Sequence, residues 1–180
     1  MKNFYPNIIL LSGTGRNVGK TTFVCRLIKH FSNLEFVTIK VSPHWHSSRQ
    51  GEILLYEEQR LLLARETERE SYKDTSRMIR CGAGDVYYLQ HTDDEALMQA
   101  FNFLMKDGME RTPMIFETAL LAKYIRPALH FRITRTEMEF PRKKLPDVPF
   151  DRLVTFDGDD FDMQPDEISW DDYPGQWHIK

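Results

Sequence analysis

The sequence predicts a three-layer α/β domain with a mostly parallel, doubly wound sheet. Three observations lead there. Short apolar runs alternate with segments whose apolar residues recur at helical spacing, the mark of strands joined by crossover helices. The first run, Ile8 to Leu11, passes through a glycine-rich turn straight into the amphipathic stretch Phe23 to Phe31. A chain of 180 residues that is 41% hydrophobic can bury a sizeable core as one unit.

In order along the chain, the first strand is expected at about 7–12 and the first helix at about 20–32. FVTIKV (Phe36 to Val41) reads as a second strand, followed by the polar stretch SPHWHSSRQG. Glu52 to Tyr56 and Leu61 to Arg65 flank a charged tetrad and read as a hairpin inserted at 52–67. The polar stretch from Ser71 to Ser76 starts a helix that runs to about Arg80, closed by Gly82-Ala83-Gly84. VYYLQ (Val86 to Gln90) is strand. Thr92 with Glu95 three residues on reads as a capping box for a helix reaching about Lys106. Met114 to Phe116 is a buried strand ending on Glu117, and Phe131 to Thr134 and Arg152 to Phe156 complete the sheet. Residues 137–150 hold three prolines and read as a loop, while 157–180 show little periodicity and are expected to wrap the surface. In such a sheet a ligand binds at the carboxyl ends of the strands, where Lys20, Lys40, Gln90 and Glu117 fall.

The sharpest signal is IILLSGTGRNVGKTT, residues 8–22. Strand, glycine loop and helix in that order turn backbone N–H groups and a helix N-terminus toward one concave spot, whose natural guest is a polyphosphate. The segment reads as a phosphate-binding P-loop, with Gly13, Thr14, Gly15, Arg16, Asn17, Val18, Gly19, Lys20, Thr21 and Thr22 as nucleotide-binding residues. Lys20 supplies a point charge for the β- and γ-phosphates, and the Thr21 hydroxyl is placed to ligate Mg²⁺. Thr14 stands where the strict G-x-x-x-x-G-K-[ST] pattern has glycine, with Gly13 one place earlier.

Formal net charge is −3, which argues against general nucleic-acid affinity. The distribution is uneven: residues 153–179 carry eight acids and no Lys or Arg. The 27 acids less these eight leave 19 in residues 1–152 against 23 bases, a balance of +4 that suits a polyanionic ligand. The acidic tail is expected to dock through Trp170, Tyr173 and Trp177, over basic residues such as Arg142, Lys143 and Lys144, or else to be a solvated end. Two cysteines, Cys25 and Cys81, make no disulfide framework, and Cys25 reads as a core residue. No apolar run approaches the roughly 18 residues of a membrane span, and no leader pattern opens the chain, so a cytoplasmic protein that meets neither membrane nor nucleic acid is expected.

Glu117, at the end of a buried strand beside the loop, is placed either to hold the water shell of Mg²⁺ and position water, or to serve as a salt-bridge partner. Asp74 either holds a metal-bound water or caps its helix. Lys20, Glu117 and Asp74 are thus the catalytic candidates, and Thr21 and Glu117 the metal candidates. Lys40 ends a strand that should neighbour the loop and joins the ligand-binding set. Arg16 either reaches a γ-phosphate, its own or a partner subunit's, or points to solvent. His44 and His46 either form a metal or phosphate site or are ordinary loop histidines. Lys73 and Arg77 either reach phosphate or lie on a solvated face, the latter reading being favoured.

SGTGRNVGKTT, Thr38-Ile39-Lys40 with His44 and His46 after it, KDTSRMIRCGAG (Lys73 to Gly84) and MIFE (Met114 to Glu117) come in an order that resembles the molybdopterin-guanine dinucleotide biosynthesis protein B family. That family belongs to the P-loop class that includes dethiobiotin synthetase, whose G-T-x-x-x-V-G-K-T loop the sequence GTGRNVGKT also resembles. The matching pieces lie within residues 8–117. Thr118 replaces that family's glycine, the loop is longer, the histidine cluster is reduced and the hairpin at 52–67 is extra. The resemblance implies a P-loop NTPase that binds GTP and hydrolyses it weakly, often dimeric, as an accessory of a partner enzyme in molybdenum-cofactor maturation. The residues themselves leave GTP and ATP open, and Asp157 in FDGDDFD is a faint candidate for base contact. Two other functions stay open: an ATP-dependent ligase or kinase of the dethiobiotin synthetase type, its second substrate on Lys40 and the 42–50 loop, and a non-catalytic nucleotide-gated interaction module.

Overall fold

The computed structural model describes residues 2–43, 45, 51–106, 109–136 and 145–180. Its elements run β1 (Asn3–Gly13), α1 (Lys20–His30), β2 (Val37–Ser42), β3 (Glu52–Glu58), β4 (Leu61–Glu66), α2 (Asp74–Arg80), β5 (Asp85–His91), α3 (Asp94–Leu104), β6 (Met114–Glu117), β7 (Ile125–Arg135), β8 (Arg152–Phe156), β9 (Ile168–Asp171) and β10 (Gln176–Ile179). Eight strands form one sheet in the order β3-β4-β5-β2-β6-β1-β7-β8, and β9 pairs with β10 apart from it. Neighbours from β5 to β8 are parallel, whereas β4 is antiparallel to both β5 and β3. The fold is α/β with a mostly parallel, mixed sheet. The expected insertion at 52–67 is the hairpin β3–β4, which extends that sheet at one edge.

Ile8, Leu10, Ile9 and Leu11 are all fully buried because β1 is covered on both faces. Alternation sends Ile8 and Leu10 toward α3, where they meet Leu97, Phe101 and Phe116. Ile9 and Leu11 face α1, whose apolar stripe of Phe23, Val24, Leu27 and Ile28 recurs at helical spacing. Each such side chain contributes about 1.5–3 kcal/mol relative to exposure. Cys25 belongs to this packing, and burial and the neighbouring Cys81 push its thiol up to about 12.

Two expectations need correction here. The cap of α3 is Asp93, not Thr92: its carboxylate accepts the Ala96 amide at 2.9 Å. The Thr92 N–H is taken by the Arg60 carbonyl at 3.1 Å, and Glu95 pairs with Arg60 instead of closing a capping box. Asp93→Ala should lower the melting temperature by a few degrees and Asp93→Asn, itself a good cap, should not. Equal melting of all three proteins would return the cap to Thr92. The second correction is Lys73, favoured as solvated. It lies 3.0 Å from Glu52 and 3.3 Å from Glu66, both carboxylates nearly inaccessible, and so ties the hairpin to the start of α2.

The acidic tail is folded onto the α1 face. Phe161 packs edge-on to Phe23 at 5.0 Å, and Met163, Ile168 and Trp177 are buried beside it. Trp170 is half-buried against Trp177, but Tyr173 is 87% exposed and anchors nothing. Arg142, Lys143 and Lys144 lie outside the described residues. Among the described residues Asp160 of the tail pairs with Arg26 and Glu167 with Arg152, and His178 lies 3.4 Å from Asp171. Among the described residues no helix is long and apolar enough to cross a membrane.

Candidate functional site

The glycine loop explains its own composition. A Cβ on Gly13 would come within 2.7 Å of Lys20 Cδ and 2.9 Å of Val18 Cγ2, so only glycine lets the loop close over β1. Thr14, where the strict pattern has glycine, is turned away from the loop interior. Its N–H donates to the Ile133 carbonyl at 3.0 Å and its hydroxyl to Thr134 Oγ1 at 3.0 Å, which fastens the loop to β7. Gly19 starts α1 at φ 96°, a left-handed conformation, and a Cβ there would strike the Phe156 ring. The N-terminus of α1 has no side-chain cap and no acid in its first turn, while Lys29 and His30 occupy its last turn. The helix dipole is thus left open to an anion at the loop end.

A cleft of about 440 Å³ lies there, lined by Arg16, Asn17, Gly19, Lys20, Thr21, Thr22, Lys40, Asp74, Arg77, Glu117 and Phe156. Gly13, Thr14, Gly15 and Val18, named from sequence with their neighbours, do not line it. Gly13, Thr14 and Val18 are held beneath by the close approach, the bonds to β7 and the core. Gly15 contributes its carbonyl, which accepts the Lys20 ammonium at 2.9 Å.

The sheet brings the charged residues together. β6 lies between β1 and β2, with Glu117 opposite Leu11 on one side and Lys40 on the other. Glu117 Oε2 accepts the Thr21 hydroxyl at 3.2 Å, and its Oε1 accepts the Lys40 ammonium at 2.5 Å. Lys40 also sits 3.0 Å from Asp74, which Arg77 approaches at 3.7 Å while reaching Thr22 at 3.4 Å. Asp74 is the first residue of α2, not its cap, and its carboxylate is turned to Lys40 and Thr21.

Burial works against the Lys40 charge, but Glu117 and Asp74 overcome it and hold the ammonium above its ordinary value of 10.5. Burial likewise works against the Asp74 charge, and Lys40, the Thr21 hydroxyl and Arg77 hold its carboxyl below 3.8. The Lys40 contribution to stability is full below its unfolded value and lost as pH rises through the raised folded one. That of Asp74 is full above its unfolded value and lost as pH falls through the lowered folded one. The cluster is therefore intact across neutral pH.

Thr21, Glu117 and Asp74 offer hard oxygen donors, the chemistry that Mg²⁺ takes. Among the described residues no group of three or more His, Cys, Asp or Glu side chains is placed to hold a metal. Two carboxylates and a hydroxyl still fit an ion that usually arrives with phosphates and waters around it. His44 and His46 lie outside the described residues. Gln90 is buried on β5 and does not line the cleft. Asp157 Oδ1 is taken up by the amides of Asp159 and Asp160 in its own turn. Of the cleft wall, Arg77 was weighed for phosphate but not favoured, and Phe156 was not named for the site. The position of Arg77 one turn after Asp74 on α2 could have signalled a shared direction. Phe156 ends β8, and only the sheet order sets it against Gly19. No protein-family model matches the chain, and no curated protein or solved structure matches it either.

Proposed function

We propose that the protein is a P-loop nucleotide-binding protein that takes up GTP or ATP with Mg²⁺ and hydrolyses it slowly. The observation that carries this reading is the convergence of Lys20 and Thr21, at the open N-terminus of α1, with Glu117 on the neighbouring strand around one cleft. The phosphates lie against the loop and helix N-terminus, with Lys20 on the β- and γ-phosphates and Arg16 and Arg77 at the rim. Thr21 and Glu117 would hold Mg²⁺, which would supply charge neutralisation at the phosphates. Glu117 orients the attacking water, and Asp74 positions Lys40 and Thr21 in the nucleotide-free site.

The resemblance extends the proposal to a cytoplasmic accessory role in molybdenum-cofactor biosynthesis, as a homodimer beside a partner enzyme. Lys40, at the cleft wall, favours one alternative: a ligase or kinase whose small substrate meets this ammonium. Turnover decides between them. Slow hydrolysis alone supports the first reading, and hydrolysis stimulated by a small carboxylate or amine supports the second. Binding without turnover marks a nucleotide-gated interaction module.

Thermal shift with ATP, GTP and their diphosphates plus Mg²⁺ tests the binding itself. At about 100 times the dissociation constant, the stabilising nucleotide should contribute about 2.7 kcal/mol. Lys20→Ala should remove that gain while melting cooperatively on its own. An undiminished nucleotide shift in the variant would overturn the assignment.

A further inference from the structure

We infer that Lys40 is a resident counter-cation of the cleft: without nucleotide its ammonium fills the place between Glu117 and Asp74 that a divalent ion needs, so metal enters only with a polyphosphate. The inference rests on the nucleotide reading above and adds an order of binding to it. Lys40 Nζ lies 2.5 Å from Glu117 Oε1 and 3.0 Å from Asp74 Oδ2. The other Glu117 oxygen takes the Thr21 hydroxyl proton. The oxygens a hard cation would use are thus already turned toward an ammonium and a hydroxyl proton, and the Glu117 side chain is only 2% exposed.

The charges around the cleft point the same way. Arg16, Lys20, Lys40 and Arg77 line it against two carboxylates, Asp74 and Glu117. A divalent ion arriving alone meets a net positive site with its anionic ligands engaged. A triphosphate reverses both conditions: its charge outweighs the surplus, and its oxygens give Lys40 a new partner as the carboxylates are released. Mg²⁺ characteristically binds through one or two carboxylates completed by substrate phosphates, and this site has that number.

The test uses Mn²⁺ as a paramagnetic probe, titrated into nucleotide-free wild type, Lys40→Gln, and Lys40→Gln combined with Glu117→Gln. Lys40→Gln, which keeps a hydrogen-bond donor for Glu117, should bind Mn²⁺ about tenfold more tightly or better than wild type, within the usual range of coupling between sites. The double variant should lose that gain. A non-hydrolysable triphosphate should tighten Mn²⁺ binding strongly in wild type and much less in Lys40→Gln. Equal nucleotide-free Mn²⁺ affinity in wild type and Lys40→Gln would overturn the inference. Absence of nucleotide binding in every protein would overturn the nucleotide reading, and the nucleotide-free titrations would still decide the place of Lys40. Lys40→Met is the second variant. If neither it nor Lys40→Gln melts cooperatively, even in millimolar Mn²⁺, the carboxylates do not accept a metal for the ammonium and the inference fails.

Discussion

Trp177→Ala should lower the unfolding free energy by about 3–5 kcal/mol, the range for removing a buried large aromatic. For a chain of this size that is a fall of about 6–20 °C in melting temperature. The indole is 1% exposed, stacks on Phe36 at 5.5 Å, meets Phe31 edge-on at 5.2 Å and touches Trp170 at 4.8 Å. Its Nε1–H donates to the Asn7 carbonyl at 3.0 Å. Truncation to alanine therefore opens a cavity and also removes the donor for a buried carbonyl. Trp177→Phe keeps one ring, so it removes the hydrogen bond, at about 1–3 kcal/mol, with only part of the buried volume, and should cost less than alanine. Asn7 lies six residues before Gly13 on β1, roughly 20 Å away along the strand, so any ligand held at Lys20 should bind Trp177→Phe as it binds wild type. A melting temperature within a degree of wild type for Trp177→Ala would show that the tail is a solvated end.

Whether an element could be read from sequence depended on how far away its partners lie. β1, the glycine loop and α1 were legible because an apolar run, glycines and a 3.6-residue stripe sit within 25 residues of one another. Lys40 was expected beside the loop from its position at a strand end, and the register that sets it opposite Glu117 comes from the adjacency of β2 and β6. Lys73 was misread because its carboxylate partners come from both strands of the hairpin, Glu52 on β3 and Glu66 on β4. In a linear reading YKDTSR is simply polar. Thr92 and Asp93 are both competent caps, and only the path of the chain beside Arg60 chooses between them. β9 and β10 lacked a signal because ISWD and QWHI are short and mixed. Their burial depends on Phe31, Phe36 and Asn7, which lie more than 130 residues earlier.

Glu117→Gln should leave nucleotide binding close to wild type and lower hydrolysis by about 10²–10⁴-fold, the contribution of a positioned acid–base group. That corresponds to about 2.7–5.5 kcal/mol in activation free energy. Lys20, the loop and the α1 N-terminus, which hold the phosphates in the proposed function, are untouched by the change, so affinity should survive. The carboxylate itself is nearly inaccessible and is held by the Thr21 hydroxyl on one oxygen and the Lys40 ammonium on the other. Those contacts keep the carboxylate at the end of the cleft before any ligand arrives, and once the triphosphate draws Lys40 away, a negative group at that place is what aligns an attacking water. Glutamine keeps the shape and one acceptor but removes the charge, and the Lys40 ammonium remains paired with Asp74. The melting temperature must be followed alongside, because an ammonium losing its buried partner also destabilises the fold. Single-turnover hydrolysis under saturating nucleotide and Mg²⁺ separates the two effects. A tenfold loss or less, with a lowered melting temperature, would make Glu117 the structural partner of Lys40 and return the search for the water-positioning group to Asp74.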